Sequence, residues 1–171
     1  MREHSINKDI DIFRRSFVIF ITAILMFVLA GCSNGNSQKT KEYVNSVKTL
    51  VNESVNSTRT LKEQKEKFDC NNSNSSKAYI ATLDTLAETY KQLLQAEAPD
   101  SYDDLDVTLK ASAKAALSDI TELESLAKYA SENGDDSLYK KDEQNLYEDY
   151  QTNYETLIEL SSEIQTRYRN D

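Results

Sequence analysis

Histidine is almost absent from this chain of 171 residues, because the only one, His4, lies close to the N-terminus. Ser–His–Asp and Cys–His catalysis need a histidine, as do His-bearing zinc sites and the di-iron sites of helical bundles. Cysteine is equally scarce, with Cys32 and Cys70 alone, which excludes a disulfide scaffold and a thiolate cluster. Gly-rich phosphate loops and Gly-x-Ser-x-Gly elbows do not occur in the sequence. We therefore expect a protein that is not an enzyme and that holds neither a cofactor nor a metal.

Helix-breaking residues are rare as well. After Cys32 the chain contains two glycines, Gly35 and Gly134, and a single proline, Pro99. No segment of this part alternates apolar and polar residues with a period of two, as a half-buried strand would. Helix is therefore the regular structure that fits the sequence.

Positive charge is in deficit over most of the chain. From residue 32 onward there are 16 Lys/Arg against 26 Asp/Glu, but residues 39–77 hold eight basic and only five acidic residues. So acidic a protein is not expected to bind nucleic acid. For residues 39–77 two interpretations stay open: a helix that lies near lipid headgroups, or a solvated face of mixed charge.

An uncharged apolar run, residues 17–30, follows Arg14 and Arg15 and ends in Leu29-Ala30-Gly31-Cys32. A basic segment, a short apolar run and small residues before a cleavage point are typical of a signal peptide. The four residues resemble the lipobox of bacterial lipoprotein precursors. The resemblance implies cleavage between Gly31 and Cys32, acylation of Cys32, and a lipid anchor that holds the protein on the extracytoplasmic side of the cell membrane.

Two alternatives concern this leader. The apolar run is shorter than the roughly 20 residues that span a bilayer, so an uncleaved N-terminal anchor is the less favoured interpretation. Arg14-Arg15 also leaves twin-arginine export open beside general secretion. Each alternative places the rest of the chain outside the cytoplasm.

Apolar residues at steps of three and four predict helices at about 39–69, 77–96, 101–133 and 137–171. Pro99 and Gly134 end the second and third, Ser101 and Asp104 form a capping box for the third, and Asp136 or Ser137 caps the fourth. The third stripe runs through Leu109, Ile120 and Leu123, and the fourth through Leu138, Tyr150 and Tyr168.

We predict an all-α fold, an antiparallel up-down four-helix bundle over residues 39–171. It follows a signal peptide at 1–31 and a lipidated cysteine with a short polar tether at 32–38. Because the first stripe is diluted by Asn, Ser and Thr, a three-helix bundle with a splayed first helix is the alternative.

This topology places the loop around Cys70 and the turn at Asn133–Gly134 at the end farther from the tether. We expect Asp135, Asp136, Tyr139 and Tyr147, which lie at that end, to form the surface that meets a partner. Cys70 is either buried and inert or available for intermolecular pairing. The predicted function is a non-enzymatic interaction module that binds an envelope protein, a cationic peptide or a cell-wall component. The alternative is a bundle that binds or senses a small ligand between its helices.

Processing provides the first test. Cys32→Ala removes the thiol that would be acylated, so the variant is expected to keep its leader and to incorporate no fatty acid. Metabolic fatty-acid labelling and mass spectrometry of the N-terminus measure both outcomes. Label on Cys32→Ala, or a wild-type chain that begins at another residue, would contradict the lipoprotein prediction.

Overall fold

The computed structural model describes residues 35–170, with side chains from Gln38 onward. Within this range the chain forms four long helices: α1 (Gly35–Lys65), α2 (Ser73–Gln95), α3 (Asp103–Asn133) and α4 (Ser137–Asn170). A single 3-10 turn, Asp100–Tyr102, connects α2 to α3, and these residues contain no strand. The signal peptide predicted at 1–31 lies outside the described residues.

Each helix packs against the next along the chain, and α1 closes the bundle by packing against α4. At one end, which we call distal, a Cβ placed on Gly134 would lie 3.3 Å from Oδ1 of Asn71. At the other end, which we call proximal, Arg167 of α4 donates to the carbonyl of Ser101 over 2.8 Å. The predicted antiparallel up-down four-helix bundle is confirmed, and α1 is not splayed.

α1 joins the core although its inward stripe is partly polar. The buried Ser54 hydroxyl donates to the carbonyl of Val51 over 2.8 Å, and the buried Thr58 hydroxyl is hydrogen-bonded to the hydroxyl of Tyr150 on α4. Buried hydroxyls cost little free energy once they have partners, so these residues do not prevent burial of the stripe. The other buried members are Tyr43, Val44, Val47, Leu50, Val51 and Leu61.

The ends of α2 and α3 have local causes. Asn72 caps α2, because its side chain accepts hydrogen bonds from the backbone nitrogens of Asn74 and Ser75 at 3.1 and 3.3 Å. α3 ends as predicted at Gly134, whose φ of 65° lies in the left-handed region and whose N–H donates to the carbonyl of Ala130.

Three predicted boundaries differ from the structure. α2 begins at Ser73 instead of near Lys77, because the side chain of Asn72 caps it there, and both ends of α1 are shifted. α1 begins at Gly35, inside the segment predicted as tether, and ends at Lys65 instead of near Asp69. Asn36 and Ser37 are weak helix formers but not breakers, so a helix nucleated by the buried stripe extends through them.

The predicted capping box at Ser101 and Asp104 is wrong. Tyr102 occupies the N-cap position of α3 and makes no side-chain capping bond. Ser101 lies in the 3-10 turn, while Asp104 accepts two hydrogen bonds from the guanidinium of Arg167, at 2.7 and 2.8 Å. A bidentate, charge-assisted pair is stronger than a neutral cap, which explains this choice of partner.

The core is continuous through all four helices. Every residue of the stripe predicted for α3 is buried: Leu105, Leu109, Ala113, Ala116, Ile120, Leu123, Ala127 and Ala130. On α4 the prediction is wrong at both ends, since Leu138 is 46% and Tyr168 37% exposed. Tyr139 is buried in place of Leu138, because it lies about three helical turns before Tyr150 and therefore shares its face.

Truncation of a core leucine tests the packing. Leu123→Ala removes a side chain that is fully buried, and we expect it to lower the free energy of unfolding by about 2–5 kcal/mol. Leu138→Ala is the matched control on the exposed side of α4 and should change it by less than about 0.5 kcal/mol. Urea denaturation followed by circular dichroism measures both, and equal losses would contradict the burial assigned here.

Candidate functional site

Asp135 and Asp136, the acidic half of the predicted partner surface, lie at the distal turn. Oδ1 of Asp135 accepts a hydrogen bond from the backbone nitrogen of Ser137 over 2.9 Å, and this bond lowers the pKa of the carboxyl. Oδ2 of Asp136 lies 2.8 Å from Nζ of Lys140, one turn farther along α4. Asp135 is therefore the side-chain acceptor at the start of α4, where Asp136 or Ser137 was predicted, and its side chain is exposed.

Tyr139 and Tyr147, the aromatic half of the predicted surface, do not join them. Tyr139 is only 5% exposed and stacks 4.6 Å from the ring of Phe68. Tyr147 is half-buried where α1 meets α4, with Nζ of Lys65 lying 4.6 Å from its ring centroid. The prediction of Tyr139 as a surface residue is wrong, because the register of α4 turns it into the core. The four residues therefore form no common exposed patch.

The tyrosines instead form a buried network. The hydroxyl of Tyr139 donates to that of Tyr79 on α2 over 3.1 Å, with the two rings perpendicular. The hydroxyls of Tyr90 and Tyr150 lie 3.0 Å apart, and Tyr150 also bonds to Thr58 on α1. These bonds connect α2 to α4 across the bundle and α1 to α4, so they fix the axial register of three helices.

A third group closes the core at the proximal end. The hydroxyl of Tyr43 on α1 donates to Oδ1 of the buried Asp106 on α3 over 3.0 Å, and Nζ of Lys110 lies 2.8 Å from the other carboxylate oxygen. Tyr102 packs edge-on against Tyr43 and lies beneath the guanidinium of Arg167. That guanidinium hydrogen-bonds to the exposed Asp104 and lowers the pKa of its carboxyl to about 2.

Burial shifts the ionisation of these hydroxyls upward. Desolvation raises the pKa of Tyr90 and of Tyr139 to about 12 each, although their hydrogen bonds with Tyr150 and Tyr79, respectively, partly oppose it. Burial also raises the pKa of Tyr79 and Tyr150, and at Tyr43 the charge of Asp106 adds to the same effect. At neutral pH these tyrosines are neutral donors and acceptors, which suits a structural role.

Cys70 lies in the α1–α2 loop, as expected, and is buried with a free thiol. Nδ2 of Asn71 approaches its sulfur at 3.4 Å. Within residues 38–170, no cluster of three or more His, Cys, Asp or Glu side chains is arranged to hold a metal ion. The predicted lipidation site, Cys32, and the cleavage site at Gly31–Cys32 lie outside the described residues.

Surface depressions on the described part of the chain include two at the sides of the bundle. One follows the outer side of α3 along Lys114, Leu117, Thr121 and Ser125. The other, a groove of about 680 Å³ at the proximal end, lies between the start of α1 and the α2–α3 connection and is lined by Thr40, Tyr43 and Ser46 on one side and residues 96–101 on the other. The groove carries charged and apolar side chains together, with Lys39, Glu42 and Asp100 at its edges.

Comparisons of the chain with protein-family models, with curated protein sequences and with solved structures found no match. None of the helices between Gly35 and Asn170 combines the length and the hydropathy that crossing a bilayer would require.

The tyrosine network was not anticipated from the sequence. One signal was present: Tyr79, Leu83, Leu86 and Tyr90 follow steps of four, three and four, which places both tyrosines on the inward stripe of α2. A hydroxyl at a fully buried position needs a partner on a neighbouring helix. The sequence does not show which residue supplies that partner.

The raised tyrosine pKa values predict instability in alkali. An acid whose pKa is raised by folding holds its proton longer in the folded state, so its stabilising contribution is complete below the unfolded pKa and is lost as pH rises. We expect the free energy of unfolding to fall between about pH 10 and pH 12, the interval between the ordinary pKa and that of Tyr90 and Tyr139. Tyr90→Phe and Tyr139→Phe should make the fall less steep, as measured by urea denaturation at several pH values. Ionisation of these tyrosines near pH 10 in the intact fold, seen as absorbance at 295 nm, would contradict the assignment.

Proposed function

We propose that this chain is a lipid-anchored, non-enzymatic helical bundle that works on the extracytoplasmic side of the cell membrane. In this proposal it binds a partner of positive charge, such as an envelope protein, a cationic peptide or a cationic cell-wall component. The anchor is the acyl chain on Cys32, and residues 35–170 are the binding module.

The anchor part of the proposal is supported by Leu29-Ala30-Gly31-Cys32 at the end of the uncharged run. α1 starts at Gly35, only three residues after Cys32. A module attached in this way stays within about 10 Å of the lipid surface, since a flexible segment of n residues spans only about 5–6 Å × √n.

The binding part is supported above all by the surplus of carboxylates on a well-packed bundle. Beyond residue 77 the chain has eight basic and 21 acidic residues. Five of those basic residues already form ion pairs with carboxylates of the bundle: Lys91, Lys110, Lys128, Lys140 and Arg167. Most of the acidic side chains described between residues 78 and 170 form no ion pair, and a partner of positive charge would supply one.

The buried tyrosines support a binding role over a catalytic one. Their hydroxyls bond to one another or to Thr58 and Asp106, and burial raises the pKa of each away from the neutral range in which a general acid or base works. This is the reason for proposing a protein without enzymatic activity.

A second candidate function, the binding of a small ligand, is favoured by the proximal groove. Its volume of about 680 Å³ falls within the range of 300–1,000 Å³ that is typical of ligand pockets. The mixed lining would suit a small zwitterion better than an apolar molecule, because Lys39, Glu42 and Asp100 surround it.

Partner capture tests the first function. The proximal end is tied to the anchor, so we expect a partner to approach the distal turn. Asp135→Asn with Asp136→Asn removes two charges there while retaining a hydrogen-bond acceptor, and should weaken capture from a membrane extract about two- to tenfold, as loss of exposed charges does. Asp100→Asn with Asp103→Asn is the proximal control with the same charge loss. Crosslinking from position 132 compared with position 103 in intact cells gives a second reading, and adducts from position 103 alone would contradict the distal site.

A further inference from the structure

The outward side of α1 divides into two flanks of different charge. Lys41, Lys48, Arg59 and Lys62 follow one line along the helix, with Asn52 and Val55 between them; we call this line the cationic flank. Glu42 and Glu53 lie on the opposite flank of α1, whereas Glu63 lies one turn after Arg59 at the outer edge of the cationic flank. Glu66 follows the end of α1, and its charge adds to burial in raising the pKa of Tyr147. At 1.5 Å per residue, Lys41 and Lys62 are about 30 Å apart.

Contacts identify the neighbour of this flank. Gln64, on the opposite side of α1, accepts a hydrogen bond from Thr82 of α2 over 2.6 Å. Nζ of Lys65 lies 2.5 Å from Oε1 of Glu143 on α4. Arg59 lies near Tyr154 of α4: burial raises the pKa of Tyr154, and the charge of Arg59 partly opposes that rise. The cationic flank therefore runs beside α4.

The adjoining side of α4 carries few charges, and its Glu143 is already paired with Lys65 of α1. Helical spacing places Gln144, Gln151, Tyr147, Tyr154, Ile158 and Gln165 along it. Tyr147 and Tyr154 are half-buried, and Ile158 is 37% exposed. Glu148, Glu155, Glu159 and Glu163 lie on the outward and α3-facing sides of the same helix. Together the two flanks make one long face, cationic along α1 and aromatic and apolar along α4.

The cations of this face are unneutralised. Among the described residues, Lys41, Lys48, Arg59 and Lys62 form no ion pair, whereas five of the eight basic residues beyond residue 77 do. A row of free cations on a protein with a large excess of acid is complementary to an anionic surface.

We propose that this α1–α4 face docks onto the headgroups of an anionic phospholipid bilayer, so that the bundle lies along the membrane. The proposal rests on the lipid anchor of the proposed function, which places α1 next to the headgroups. A bilayer fits better than a soluble polyanion, because tyrosines and an exposed isoleucine beside cations are the side chains that favour the membrane interface. The acidic sides of α2, α3 and α4 then face away from the lipid and remain open to the cationic partner.

Footprinting of the full chain reconstituted into vesicles tests this docking without any substitution. A water-soluble acylating reagent modifies exposed lysines, and mass spectrometry measures the rate at each. On phosphatidylcholine vesicles that contain phosphatidylglycerol, we expect Lys41, Lys48 and Lys62 to react about fivefold more slowly than on phosphatidylcholine alone, from the usual contribution of one cation at such a surface. Lys77, Lys114 and Lys141, which are also exposed and unpaired but lie off the face, should react equally on both.

Substitution gives a second reading through Arg59, which an arginine-specific dicarbonyl reagent modifies. In Lys41→Gln/Lys48→Gln/Lys62→Gln the protection of Arg59 on anionic vesicles should be lost. In Lys77→Gln/Lys114→Gln/Lys141→Gln, which removes the same charge elsewhere, it should persist. High salt should abolish the protection that remains in the wild type and in Lys77→Gln/Lys114→Gln/Lys141→Gln, because it screens exposed charges.

Equal protection of the two lysine sets, or none, overturns the docking. Protection by soluble polyphosphate on phosphatidylcholine vesicles, without protection by phosphatidylglycerol, would also overturn it and assign the face to a phosphate polymer. The lipid anchor is tested separately. A chain that lacks the anchor is released from the vesicles in high salt, whereas the comparison of lysine reactivities at low salt does not depend on the anchor.

Discussion

A buried tyrosine hydroxyl must find a hydrogen-bond partner, and this constraint determines how the four helices fit together. Leucine stripes alone would let helices slide along one another, since apolar contact is not directional. The Tyr79–Tyr139 and Tyr90–Tyr150 pairs are directional, and each is satisfied in a single register of α2 against α4. In the Tyr79–Tyr139 pair, loss of one partner would leave the other hydroxyl desolvated and unpaired, which costs about 1–3 kcal/mol. The tyrosines therefore contribute to the specificity of the fold as much as to its stability.

The same constraint explains how a helix as polar as α1 is held. Its stripe contains Ser54 and Thr58 at positions where a leucine would be usual. Thr58 is hydrogen-bonded to the hydroxyl of Tyr150 on α4, and the hydroxyl of Tyr43 donates to Asp106 on α3. Polar contacts inside an apolar core therefore hold α1 against both helices. The outward side of α1 is then not needed for packing, and its charged residues divide between two flanks.

The fold could be predicted because the sequence marks its helix ends and its buried stripes clearly. Pro99 and Gly134 mark two helix ends by backbone geometry alone, and the stripe of α3 is regular through eight buried residues. The candidate surface was predicted less well. Tyr139 and Leu138 are adjacent in sequence, so only one of them can face the core. Which one does so depends on the helical register of α4 over several turns, and the apolar pattern at the start of α4 is too irregular to show it. The capping of α3 failed for another reason, since the partner of Asp104 lies 63 residues away at Arg167.

Up-down connectivity also has a consequence for the order in which the domain can form. α2 and α3 each meet a neighbour that precedes them in the chain, so hairpins of adjacent helices can form from local contacts and should form fast. α1 is different, because the hydroxyl of its Thr58 is satisfied by Tyr150, 92 residues later. During synthesis the first helix emerges before the last, and until α4 is made one side of α1 has no partner. The bundle is thus closed by its final helix, and a nascent chain interrupted before residue 150 would expose the side of α1 that packs against α4 in the finished molecule.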